Sequence, residues 1–201
     1  LIGTMSQMFV ADLVQKTRRG QLGRLRAGKS PGGLPYGYDI VAEGGERGGR
    51  QINQAEASIV RRIFEEFVAG ASPRAIAKRL NDEGVPGPAG RGWRDTTIRG
   101  QVDRGTGFLN NEIYTGRLVW NRCTYVKNPK TGKRLARVNP PEAWEVTEVP
   151  EQRIISDDLW EAAKARQVAI RHVMTAKGGA ALNEAHRPRF LLSGLLKCGA
   201  C

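Results

Sequence analysis

Apolar positions change their spacing twice along the chain, and the changes divide it into helical and extended stretches. Ile2, Met5, Met8, Phe9 and Leu13 recur at intervals of three and four, which marks one face of an amphipathic helix continuing to about Ala27. Up to Val14 this helix is apolar enough to pack on a partner, whereas Lys16, Arg18, Arg19, Arg24, Arg26 and Lys29 turn its second half into a basic rod. Ser30-Pro31-Gly32-Gly33-Leu34-Pro35 cannot continue a helix, since proline lacks the N–H and glycine loses the most backbone freedom on ordering, so it reads as a linker. Residues 36–38 and 51–53 can pair as short strands around glycine turns.

The helical period then returns. Asn53 followed by Glu56 resembles a capping box opening a helix that buries Ala57, Val60, Ile63, Phe64, Phe67 and Val68, and Gly70 ends it. Ser72 as N-cap, Pro73 at the first helical position and Gly84 past the last turn predict a helix over 73–83 with Ile76 and Leu80 inward. After a Pro/Gly loop, Asp95 or Thr96 caps a third helix running to about Arg104, with Ile98 and Val102 inward. From Gly116 the period falls to two: Leu118, Trp120 and Arg122 alternate with Val119, Asn121 and Cys123, a strand and hairpin bounded by Pro129 and Gly132. Trp144 and Val146 suggest another strand, Ser156 or Asp157 caps a helix with Leu159, Trp160 and Ala163 inward, and 173–188 lacks periodicity and reads as a linker.

Charge changes the picture from fold to partner. The 201 residues carry 32 Lys+Arg against 20 Asp+Glu, a net charge of +12, which favours a polyanion. The surplus comes in blocks. Residues 1–38 hold +5, 39–85 hold −1, 86–141 hold +8, 142–165 hold −5 and 166–201 hold +5, as expected where a phosphate backbone is gripped at separate places. No run of 18 apolar residues spans a bilayer and no signal peptide opens the chain. Three cysteines, two of them in the last four residues, make no disulfide framework and fit a reducing, cytoplasmic setting. A chain beginning at Leu1 and stopping at Cys201 is expected to be a piece of a longer protein.

Helix, loop and a second helix carrying Thr96, Thr97, Arg99, Gln101 and Arg104 suit a recognition helix in a major groove: Arg can bond guanine in bidentate fashion, Gln adenine, and Thr can meet a thymine methyl. The alternative is a polar face of a small bundle. Lys127, Lys130, Lys133, Arg134 and Arg137 bracket a turn and would form a basic hairpin tip at phosphates, or else a solvated lysine loop. Trp93, Trp120, Tyr125 and Trp144 are assigned to packing rather than base stacking, and Cys123 to a strand or core position. Cys198 and Cys201 have zinc-knuckle spacing but supply half a tetrahedral site, expected to be empty without further ligands. No catalytic group is expected: the serines have no histidine nearby in sequence, and His172 and His186 sit in or beside the linker-like stretch. The acidic residues from Glu142 to Asp158 read as a solvated face and helix N-terminal charge.

Several pieces, in this order, resemble a known family: the run to Tyr38 containing Lys16-Thr17-Arg18-Arg19-Gly20 and Gly32-Gly33-Leu34-Pro35-Tyr36-Gly37-Tyr38; 75–84 (AIAKRLNDEG); Trp93 with Thr97 and Ile98; 111–116 (NEIYTG); and 192–201 (LSGLLKCGAC). Over essentially its whole length the chain is similar to the C-terminal DNA-binding part of large serine recombinases, the phage integrases and mobile-element transposases. The resemblance implies that 1–29 is the end of the long connecting helix, 30–172 the recombinase domain, and 173–201 a linker with the truncated start of a zinc ribbon. The fold expected is α+β: a long N-terminal helix, then a mainly helical winged-helix-like domain with a small antiparallel sheet. The resemblance also implies a bacterial or phage-encoded, nucleoid-associated parent that cuts and rejoins DNA through a phosphoserine, with the serine domain upstream of this chain. Its partners would be a double-stranded attachment site and other recombinase subunits in a dimer or tetramer, with no membrane. No cofactor is expected in this chain, and zinc in the full-length parent. Competing readings are a free-standing winged-helix transcriptional regulator and an RNA-binding protein; the basic helix and linker argue against the first, and the lack of an aromatic pair in an RNP-like strand against the second.

Overall fold

A computed structural model describes residues 2–41 and 48–176, with side chains over 8–41 and 48–170. It falls into two units, Leu1–Ala163 and Lys164–Cys201. The fold is α+β, with antiparallel strands both between α-helices and after them. In chain order the elements are α1 (Ile2–Arg26), β1 (Tyr38–Ile40), β2 (Arg50–Ile52), α2 (Gln54–Val68), α3 (Pro73–Asp82), α4 (Asp95–Arg99), β3 (Arg117–Trp120), β4 (Cys123–Lys127), β5 (Arg134–Val138), β6 (Glu145–Glu148) and α5 (Asp157–Ala176). Helix α5 runs past residue 172 into the stretch expected to be linker.

The core of the first unit is built where the helical period put it. Ala57, Val60, Ile63, Phe64 and Phe67 of α2 meet Ile76 and Leu80 of α3, Ile98 of α4 and Leu109, all fully or almost fully buried. Each large apolar side chain so placed contributes about 1.5–3 kcal/mol. Val68 does not join them. It lies at the last turn of α2 and is 36% exposed, because the helix ends there and turns that position toward solvent. Tyr38 and Tyr114 stack in the same core at 6.2 Å, and the Tyr38 hydroxyl donates to the carbonyls of Ile113 and Gln152. Burial raises the pKa of both phenols above the usual range.

Capping chemistry follows the sequence with one change. Asn53 Oδ1 accepts from the Glu56 N–H and Ser72 Oγ from the Ala75 N–H, with Pro73 opening α3. The reciprocal half of the expected capping box is missing: Glu56 Oε2 accepts instead from the Gly37 N–H at 2.7 Å, and the Asn53 N–H goes to the Gly37 carbonyl. The box has become a tie from α2 to the start of β1. Ser156 caps α5, its Oγ accepting from the Leu159 N–H.

Among the described residues the antiparallel pairing forms three two-stranded ladders, β1 with β2, β3 with β6 and β4 with β5. The alternation from Leu118 to Cys123 predicted one strand, but Asn121 takes φ +63° and breaks it into β3 and β4. Its amide donates to the Ala143 carbonyl, and its own carbonyl accepts from Asn139 Nδ2, so side-chain bonds replace ladder bonds at the break. Among the described residues no helix is long and apolar enough to cross a membrane.

Candidate nucleic-acid interface

Helix α4 is short and firmly seated. Asn81 on α3 clamps Trp93, two residues ahead of α4, from both sides, its Nδ2 donating to the Trp93 carbonyl and its Oδ1 accepting from the Trp93 N–H at 2.7 Å. The Trp93 indole N–H donates to the Val85 carbonyl, and its ring packs against Tyr36 and Phe108 at 5.3 and 5.2 Å. With Ile98 wholly buried, Thr96 and Arg99 face solvent and Thr97 is half-buried. The Arg99 guanidinium lies 3.9 Å from Asp95 with 62% of its side chain exposed. Such a surface pair holds weakly, so the guanidinium is free to take a stronger partner.

The sequence carried this helix to Arg104; the structure stops it at Arg99. Gly100 takes φ +55°, and a Cβ there would lie 1.7 Å from the Thr106 carbonyl oxygen. Gln101 and Thr106 bridge across a tight turn, while the buried Asn110 amide donates to the carbonyls of Arg99 and Thr106, both at 2.8 Å. Gln101 therefore stands exposed on the turn, and Val102, expected inward, is 52% exposed. Arg104 leaves the helix altogether and lines a cleft beside Arg50. Glycine at 100 and asparagine at 110 were the signals that the helical period could not weigh.

The C-terminal end of α1 is anchored by Leu25, 1% exposed. Arg24 Nε donates to the Ser30 carbonyl at 2.8 Å and Nη2 to the Gly48 carbonyl, so Arg24 ties the linker and the β1–β2 turn to the helix end. Arg18 stacks over Trp120 at 5.5 Å, Arg19 and Arg26 are exposed, and Lys29 is half-buried. Met8, Phe9 and Leu13, in the half expected to meet a partner, are 73%, 69% and 53% exposed.

In the β4–β5 hairpin Lys127 stands opposite Arg134, and the tip is organised by Asn128, whose side chain accepts from the Lys130 and Thr131 N–H groups. Lys130, Lys133 and Arg134 are exposed. Tyr125, assigned to the core from sequence, is 58% exposed with Arg134 over its ring at 4.9 Å, because a two-stranded ladder has no second layer to cover it. Trp93, Trp120 and Trp144 do pack; the Trp144 N–H donates to the Asn139 carbonyl beneath Arg122. Sequence reasoning missed Arg91 and Arg94, exposed beside α4, and the arginines at 50, 117 and 122. Cys198 and Cys201 lie outside the described residues, among which no group of three or more His, Cys, Asp or Glu is placed to hold a metal.

The arrangement offers one fixed turn of helix with an exposed, weakly paired guanidinium, a basic helix end and a basic hairpin. The Recombinase family model matches residues 54–168, from the first turn of α2 to within α5. The chain belongs to the Recombinase family. This agrees with the resemblance to large serine recombinases. No curated protein matches it. Among solved structures, the crystal structure of an LSR-DNA complex is 18% identical with a TM-score of 0.46, covering 77% of this chain and 38% of that one. A structure concerned with sequence requirements of the Listeria innocua prophage attP site is 19% identical with a TM-score of 0.47, covering 88% of this chain and 58% of that one. The chain thus spans from about two fifths to under three fifths of these proteins.

Proposed function

We propose that this recombinase domain binds duplex DNA sequence-specifically for a large serine recombinase that integrates and excises DNA segments. The observation that carries the reading is the match to the Recombinase family over the segment that builds the α2–α4 core and presents Thr96 and Arg99 outward. Helix α4 enters a major groove, where Arg99 has the reach and fork geometry for guanine and Thr96 and Thr97 for neighbouring bases. The hairpin cations Lys130, Lys133 and Arg134 meet phosphates alongside. Arg18, Arg19, Arg26 and Lys29 follow the backbone as the linker at 30–35 runs along or into the adjacent minor groove, while Arg24 mainly holds the linker's entry.

In the parent, a serine contributed from outside this chain cleaves each strand through a phosphoserine link, and strands exchange by subunit rotation within a tetramer. Cys198 and Cys201 offer two thiolates, so zinc belongs to the longer protein, where further ligands complete the set.

Duplex binding measured across salt concentrations tests the reading. The logarithm of affinity should fall with that of salt at a slope gaining roughly 0.9 per phosphate contact, and duplex DNA should outcompete structured RNA. A slope near zero, or preference for the RNA, contradicts it.

A further inference from the structure

A cleft of about 390 Å³ lies between the end of α1, the linker and β3. Four arginines line it, Arg50, Arg104, Arg117 and Arg122, against one carboxylate, Glu112. Glu112 is already taken: it pairs with Arg117 at 2.9 Å and with Arg122. Arg50 is 8% exposed, and its Nε and Nη2 are buried with no hydrogen-bond partner among the described residues. Its compensation is the Tyr38 ring, 5.9 Å from the guanidinium carbon, and burial lowers its affinity for the proton. A guanidinium kept in so dry a place with orphaned donors is costly unless an anion completes it. Arg122 Nε is orphaned in the same way. The wall is shaped to admit these groups: at Gly105, φ +62°, a Cβ would lie 1.9 Å from Arg122 Nη1.

We propose that this cleft is an oxyanion pocket that seats a phosphate of the DNA backbone, with Arg50 at its floor and Arg104 at its rim. It rests on the duplex-binding reading and adds a contact separate from α4 and the hairpin. The pocket commits to the backbone rather than to a free anion for two reasons. It is lined by Ser30, Pro31 and Gly32 of the linker, and it reaches the basic end of α1 through Gln21 and through Trp120, on which Arg18 stacks. Planar guanidinium forks match two phosphate oxygens at once, which fixes register along the duplex without reading a base.

The test uses the whole 201-residue chain and a duplex selected by it from a random pool. A single neutral methylphosphonate is walked along each strand. For the unsubstituted chain, one position per strand or fewer, outside the α4 and hairpin footprints, should weaken binding about tenfold, a typical loss for one contact. In Arg50→Met that position should fall silent while the other sensitive positions persist. Arg104→Gln, on the half-buried rim, should blunt the same position and serves if Arg50→Met does not fold. An unchanged methylphosphonate profile in a folded variant overturns the pocket and leaves duplex binding standing. Failure of the unsubstituted chain to bind any duplex overturns the reading on which it rests. Melting in inorganic phosphate at fixed ionic strength separates the sources: stabilisation lost in Arg50→Met, together with an unchanged profile, assigns the cleft to a free anion and overturns the backbone assignment.

Discussion

Helix α4 and the β4–β5 hairpin both present cations, but they are mounted in opposite ways. Under α4 lie Ile98, Trp93 and the Asn81 and Asn110 amides, so its backbone has little freedom and Arg99 starts from a fixed root. The hairpin has no covering layer: Tyr125, Val126, Leu135 and Val138 are all exposed, at 58%, 39%, 47% and 45%. Reading a base edge needs a donor fixed in place, whereas holding a phosphate needs only charge at the right distance. Under the proposed function those two tasks fall to these two regions.

The contrast should be plainest in stability. Phe64→Ala empties a fully buried site against Tyr114 and Trp160 and should cost about 3–5 kcal/mol in urea unfolding. Leu135→Ala in the hairpin should cost about 0.5 kcal/mol or less. Comparable losses would mean that the hairpin packs against something more than its own partner strand.

A smaller effect sharpens the same point at α4. Asn110→Ala removes both donors that hold the Arg99 and Thr106 carbonyls and should cost about 1–3 kcal/mol. It should also lower discrimination between a selected and a scrambled duplex, although Asn110 is buried and far from offering a contact of its own. Loss of stability with discrimination intact would show that the turn at 100–107 does not set the aim of Arg99.

The smallest expected change concerns pH. Arg62 bonds Glu83 through both carboxylate oxygens, at 2.5 and 2.6 Å, and holds its pKa below the ordinary 4.5. Because the folded-state value is depressed, the stabilisation is present above the ordinary value and is lost as pH falls through the lowered one. Glu83→Gln should therefore lower the melting temperature slightly at neutral pH, converge with the unsubstituted chain in acid, and so flatten the acid limb of a melting-temperature profile. A parallel downward shift at every pH would show that the pair acts through packing instead.

Helices α2 and α3 were legible from sequence because Asn53, Ser72, Pro73 and a run of apolar residues at helical spacing all act locally. The end of α4 was not, since it depends on the Asn110 amide reaching back to Arg99 from outside the helix. Arg50 was invisible for a similar reason. In sequence it is one charge beside a glycine turn, and only the fold buries it under Tyr38 and sets Arg104 and Arg122 in the same cleft. Tyr125 misled in the other direction: alternation predicts which strand positions share a face but not whether a second layer exists to cover that face.

The measurement closest to the central claim sets Arg99→Ala against Lys133→Ala, each titrated with a selected and a scrambled duplex at two salt concentrations. Arg99→Ala should weaken the selected duplex by about 1–3 kcal/mol and leave the scrambled one nearly unchanged, with little effect on the salt slope. Lys133→Ala should weaken both duplexes alike and reduce the slope by roughly 0.9. Equal losses on the two duplexes for Arg99→Ala would contradict base reading by α4.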